Sequence, residues 1–420
     1  MTRFLAVSTV AALLGGCTAV PLSEASNPAF TQTAKPAGSV PELTTPSYHT
    51  PTTPEKDDTY TPEYQLKLLA NRDFGGNIFL IVREKNLENG LFPLADDLTE
   101  SYAEDRNTLV GSKYNVELAC ISKTADEILD ELSKAVASGN YFADLLVVSP
   151  ALFKQLKEKN LLQSLNHLPF FETDSVYLSQ DAIAEINSGW TGTYGVWGDA
   201  LRQPSQGYAL YYALEQAEAL GCPNFYGKVQ NGSFDIHTLL DAAAKGKLAF
   251  DGNPADLLFA LTGINSATDE GKALLESDSY TALLSKFEES RYVSQEETAL
   301  DAFLGGKALF YIGKLGTFPS FAQTELKVGI LPLPKYNAND AKYPHPVDQS
   351  TLPILACPLN MTSLEGSGIL LSAFNAASCD QINDIFLQSL APHVRDNGST
   401  LMLPYLVDSI QVDRKLIYGE

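Results

Sequence analysis

The sequence predicts an α/β protein, built as two domains or one large bilobal body behind an N-terminal export segment. Short apolar runs suited to buried strands alternate with segments whose apolar residues recur at helical spacing. The chain has 420 residues, more than a single ordinary core gathers. Its hydrophobic share is 45%, well beyond what a disordered chain carries. With 29 Lys+Arg against 51 Asp+Glu the net charge is −22, which argues against nucleic acid as a partner because phosphate binding needs clustered cations. No uncharged stretch reaches the roughly 20 apolar residues of a membrane-spanning helix.

The chain opens with Arg3, a short apolar core over residues 5–14, and then Gly15, Gly16 and Cys17. This is the pattern of a secretory signal, too short to span a bilayer. Residues 18–64 hold eight of the 23 prolines among many Thr and Ser, so they read as an extended spacer. As a coil it would reach roughly 40 Å.

From about Asp73 the composition changes. Residues 78–82 form a buried strand after Gly75 and Gly76, and Tyr114–Leu118 a second. Ile128, Leu129, Leu132 and Val136 share one helical face over residues 126–137. Leu145–Val148 is another buried run, closed by Ser149 and Pro150, with a helix over 151–159. Further on, residues 208–219 read as a helix, and Asp235 caps a helix over 237–245. Residues 257–261 and 280–289 are helical, 308–312, 328–334 and 353–358 strand-like, and 364–377 and 400–412 helical.

Motifs of catalysis are missing. There is no G-x-S-x-G, H-E-x-x-H, Walker-type loop or G-x-G-x-x-G. The five histidines have no ligand spacing, and the five cysteines form no C-x-x-C pair, so no metal or cofactor is expected.

Leu14 to Cys17 resembles the lipobox of bacterial lipoproteins, which implies acylation of Cys17 and an anchor on the outer face of the cell membrane. Asp144 followed by the Leu145–Val148 run and Leu161, Leu162 and Leu165 resembles a segment of the extracellular solute-binding proteins of ABC importers. Residues 303–311 and 326–335 resemble two more. Residues 73–79, 194–199 and 225–235 are similar to segments of the large lipoproteins of the Gram-positive gut-bacterial branch. So are Leu355–Pro358 with Glu365–Gly368, and Arg395, Asp396, Met402, Leu403 and Asp413. Phe234 departs from the tryptophan usual there, an insert common after it is nearly absent, and the sequence ends where relatives continue.

The resemblance implies a bilobal fold of the type II periplasmic-binding-protein kind, with a ligand cleft between two α/β lobes. It places lobe 1 at 65–203 and 350–380, and lobe 2 at 204–349 and 381–420, with crossings near 199–207 and 348–352. It further implies a non-enzymatic monomer that captures a small solute, a sugar or oligosaccharide, for an ABC permease. A sensor or adhesion lipoprotein on the same fold, and a secreted carbohydrate-active enzyme, are the competing readings. Arg83, Glu84 and Ser149 follow buried strands, where open α/β sheets hold ligands. Trp197 and Asp199, between glycines at the first crossing, are expected to stack on a sugar ring and bind its hydroxyls. Tyr208 and Lys314 complete the candidate set.

Overall fold

The computed structural model describes residues 61–94, 99–264, 266, 268–346, 352–378 and 381–406. Cys17, the leader and most of the spacer lie outside the described residues, as do 348–351, Cys379 and Asp413.

Two mixed five-stranded sheets organise the chain. After helix α1 (Pro62–Leu68) comes strand β1 (Asn77–Glu84), then α2 (Glu100–Tyr114), β2 (Val116–Lys123), α3 (Ala125–Ser138), β3 (Leu145–Val148), α4 (Pro150–Glu158), α5 (Gln180–Ile186) and β4 (Gly195–Val196). The first sheet runs β2-β1-β3-β10-β4, where β10 (Ile354–Ala356) comes from far along the chain. β1 is parallel to β2 from Asn77↔Val116 to Glu84↔Lys123, and parallel to β3. β10 runs antiparallel between β3 and β4. Local signals set the helix starts: Thr124 and Glu127 form a reciprocal cap on α3, and Ser149 caps α4 ahead of Pro150.

The second sheet runs β7-β6-β8-β5-β9. In chain order its part comprises β5 (Tyr208–Ala213), α6 (Leu214–Ala219), α7 (Phe225–Gln230), α8 (Ile236–Gly246), β6 (Leu248–Ala249), α9 (Pro254–Ala260), α10 (Asp269–Leu275), α11 (Asp278–Ser290), β7 (Arg291–Tyr292), α12 (Ala299–Leu304), β8 (Phe310–Lys314) and β9 (Val328–Leu331). After β10 follow α13 (Leu364–Ser378), α14 (Gln381–Leu390) and α15 (Asn397–Met402). Each sheet has its own core. Ile81, Val147, Phe153, Leu355 and Phe374 belong to the first, and Tyr211, Phe234, Phe287, Phe310 and Phe386 to the second.

Three elements differ from the sequence reading. Residues 208–213 are strand β5, and only 214–219 are helical. β5 lies between β8 and β9 and is buried on both faces, so its apolar run lacks the alternation that marks a half-exposed strand. Tyr114 ends α2, and β2 begins two residues later. The helix expected from residue 400 is α15, which gives way to a tight turn at Leu403–Tyr405 containing Pro404.

Asp144, the aspartate of the resemblance, turns out to be structural. It lies at the start of β3, 2% exposed, and its carboxylate accepts from Leu80 N–H (2.9 Å), Tyr141 O–H (2.6 Å) and Thr362 O–H (2.8 Å). It thereby ties β1, β3 and the approach to α13 at the end of the sheet opposite Ser149. Burial and this carboxylate push the Tyr141 phenol well above its usual pKa.

Candidate functional site

Strand direction decides where a solute can sit. In the first sheet β1, β2, β3 and β4 run one way, so Arg83–Glu84, Lys123, Ser149 and Trp197 mark a single edge. In the second sheet β6, β8 and β9 end, and β5 begins, along an edge marked by Phe250, Lys314, Pro332 and Tyr208. Residues 197–207 lead from the end of β4 to the start of β5, so both edges meet the same crossing. Carboxyl edges of α/β sheets present strand-end loops and helix N-termini, the groups that hold small polar ligands.

The crossing is fastened at both ends. On the first-sheet side Leu201 O accepts from Gly90 N–H (3.1 Å), and Ala200 N–H donates to Asn375 Oδ1 (3.2 Å). On the second-sheet side Gly207 O accepts from Leu315 N–H (2.7 Å), and Tyr208 N–H donates to Pro346 O (3.2 Å). His345 is buried against Gly207.

Behind the first-sheet end stands Arg106, on the inner face of α2 and 3% exposed. Its guanidinium donates to Gly90 O (3.1 Å), Leu91 O (2.8 Å) and Ser378 Oγ (3.2 Å), and reaches Ala200 O at 3.5 Å. Burial lowers its pKa to about 10, so it stays charged at neutral pH. The carbonyl end of α13, also capped by Tyr102 O–H at Ser378 O (2.9 Å), supplies partial negative charge beside it.

Of the predicted residues, Glu84 and Ser149 meet: Glu84 Oε2 accepts from Ser149 N–H at 2.7 Å, and Ser149 Oγ accepts from Leu152 N–H at 3.4 Å. Arg83 donates to Ser122 Oγ (2.7 Å) and Phe92 O (2.6 Å), beside a hollow of about 220 Å³ bordered by Glu100, Glu104 and Asn107. Lys314 Nζ donates to Gln206 Oε1 at 2.5 Å, and Tyr208 is half-buried, edge-on to Phe250.

Trp197 and Asp199 depart from expectation. Trp197 is 3% exposed, packed in the first core with the Arg202 guanidinium 5.9 Å from its ring, so its faces are covered. Asp199 is buried and paired with Arg202 at 3.0 Å. The glycines around Trp197 serve close packing: a Cβ at Gly198 would stand 2.5 Å from Asn375 Oδ1 and from Tyr177 O. Most of the other aromatics near the crossing are core too. Tyr311, Tyr211 and Phe318 stack in the second core, with centroids 5.7 and 6.1 Å apart.

Arg106, Gln206 and His345 were not legible as site residues. Among them only Gln206, inside the predicted crossing, had a positional signal.

Two α/β halves joined by the 197–207 crossing, with polar side chains along the sheet edges that it connects, define a bilobal, periplasmic-binding-protein-like fold. Residues 101–373 match the family of bacterial extracellular solute-binding proteins, and the chain belongs to that family. No match was found among curated proteins. Among solved structures the chain is similar to the bacterial solute receptor AcbH, described as having an exclusive preference for β-D-galactopyranose. That likeness has a TM-score of 0.50 at 10% identity over 82% of this chain and 89% of that one, and supports the fold. The GacH receptor of Streptomyces glaucescens, solved with acarbose, gives 0.49 at 14% identity over 81% and 88%. The galacto-N-biose/lacto-N-biose I-binding protein of Bifidobacterium longum gives 0.46 at 15% over 82% and 90%.

Proposed function

We propose that this protein captures a sugar or oligosaccharide outside the cell and delivers it to an ABC importer, as a non-enzymatic, monomeric receptor. The observation that carries the reading is the convergence of two carboxyl sheet edges, bearing Glu84, Ser149, Tyr208 and Lys314, on one crossing. Membership of the solute-binding family supports it. In this reading lobe 1 comprises 65–203 and 350–380, lobe 2 comprises 204–349 and 381–420, and the solute is enclosed when they close. Arg83 belongs to the rim of the site, whereas Trp197 and Asp199 serve the crossing. Cys17 carries the lipid that holds the receptor at the extracellular face of the membrane, a proposal resting on the sequence of residues 1–17.

A thermal-shift panel of mono- and oligosaccharides tests the capture function. A ligand at 100 times its Kd should stabilise the native state by about 2.7 kcal/mol. A rise in melting temperature with at least one sugar is expected, and a panel without any response would overturn the carbohydrate reading. Cys17→Ala should move the protein from the membrane to the soluble fraction.

A further inference from the structure

The hollow beside Arg83 lies on the α2 side of the first sheet, at the carboxyl ends of β1 and β2. Its place follows from how α2 rests on β2. In the second half of the helix, Gly111 is so near the strand that a Cβ there would stand 3.0 Å from Val116 O. The first half leaves a space of about 220 Å³ between Ala103 and Asn107 on the helix and Arg83, Cys120 and Ser122 on the strands. That is below the roughly 300–1,000 Å³ of pockets for drug-sized ligands, and suits a single sugar ring.

The walls carry the two kinds of surface that a sugar ring uses. Phe92 is a half-buried aromatic against which the C–H face of a ring can lie. Its backbone is fixed: Phe92 O accepts from Arg83 Nη1 (2.6 Å), and Phe92 N–H donates to Oδ1 of the fully buried Asn89 (2.8 Å). Arg83 commits Nε to Ser122 Oγ (2.7 Å), and among the described residues nothing accepts from its Nη2. Glu104 is exposed, and among the described residues nothing bonds to its carboxylate. A guanidinium donor and a carboxylate acceptor are thus left for hydroxyl groups.

Two further observations bear on the size of the solute. β3, β1 and β2 are consecutive in the sheet at about 4.8 Å spacing, so the hollow beside Ser122 lies roughly 10 Å along the edge from Ser149. One ring cannot fill both places. Phe92, Glu104 and Asn107 also border a groove of about 850 Å³ that continues between α2 and the start of β2, away from this edge.

We propose that the hollow is a second subsite of the solute cleft, taking one ring of an oligosaccharide whose neighbouring rings lie at Glu84 and Ser149. The groove beyond it lets the chain continue. The solutes are therefore oligosaccharides of two or more units, with longer chains accepted. This rests on the capture function proposed above and adds chain length to it.

Two series test it by calorimetry: glucose, maltose and maltotriose, and galactose, lactose and raffinose. Each is titrated into the full chain, Phe92→Ala and Glu104→Ala. In at least one series the trisaccharide should bind about tenfold or more tighter than the monosaccharide, the scale of one hydrogen bond to a charged group. Either substitution should bring that ratio down towards one. The ratio is internal to each variant, so a loss of stability does not imitate the result. Cys120 lines the hollow, and burial pushes its thiol up to about 11, so iodoacetamide reacts with it slowly. Peptide mass spectrometry should show that the trisaccharide slows this alkylation further, and more than the monosaccharide does at equal saturation. Equal affinity along both series, a ratio that both variants keep, or an unprotected Cys120 would each overturn the subsite and leave sugar capture standing. An absence of binding in both series would overturn the capture function itself.

Discussion

Gly207→Ala asks whether the two crossing strands of chain are packed as tightly as their contacts suggest, and the sign of the effect gives the answer. Gly207 has φ −64° and ψ 149°, a conformation any residue adopts, so the substitution carries no backbone penalty. In open space it would stabilise the protein by about 0.4–1 kcal/mol, by restricting the unfolded chain. The space is not open. A Cβ at Gly207 would stand 1.9 Å from His345 Nε2 and 2.5 Å from its Cε1, and the ring is buried with 4% exposure. The ring or the crossing must shift, and overpacking of this kind costs about 1–3 kcal/mol. At about 2–4 °C per kcal/mol for a lobe-sized unit, the melting temperature should fall by about 2–12 °C. Calorimetry on Gly207→Ala, His345→Ala and the double variant completes a cycle in which the alanine at 207 should cost little once the ring is gone. A single Gly207→Ala variant that melts at or above the wild type would refute the close approach.

Asp144→Ala should destabilise the protein by about 1.5–3 kcal/mol in urea unfolding, because three partly buried donors lose the buried carboxylate they share, and it should leave solute affinity unchanged. Trp197→Ala should cost roughly 3–5 kcal/mol, the price of a large side chain removed from a core, measured the same way. Arg106→Met leaves Gly90 O without its donor, whereas Leu91 O keeps Asn107 Nδ2 (2.9 Å), and should cost about 1–3 kcal/mol by thermal unfolding. Asp235→Ala removes the α8 cap, whose Oδ1 accepts from Thr238 N–H at 2.8 Å, and should cost about 1 kcal/mol.

What the sequence disclosed and what it hid follow from how far each signal reaches. Strands β1, β3 and β10 were legible because short apolar runs bounded by Gly, Ser and Pro need no knowledge of their neighbours. The α8 cap was legible because Asp235 acts on an amide three residues away. Helix α2 was not: its buried stripe is Ala103, Arg106, Val110 and Tyr114, and an arginine in the apolar series breaks the period. Strand β5 was misread because burial on both faces erases alternation and its tyrosines lead into a helix-forming Leu214–Ala219. Within the candidate site, Glu84 and Ser149 were found from their positions after strands, but their mutual hydrogen bond joins residues 65 apart. Exposure of Trp197 could not be read from flanking glycines, because glycine marks close packing as readily as a loop.

The position of β10 governs the order in which the molecule can be assembled. Ile354–Ala356 fills the gap between β3 and β4, strands that leave the ribosome long before it does. Until residue 356 has been made, β3 and β4 each present an open, apolar edge. All five strands of the second sheet lie within residues 208–331 and can pair without waiting. Pairings so remote in sequence close late and slowly, and unpaired apolar edges invite association with other chains in the interval. The sheet that begins the folded chain is therefore the sheet that is completed last.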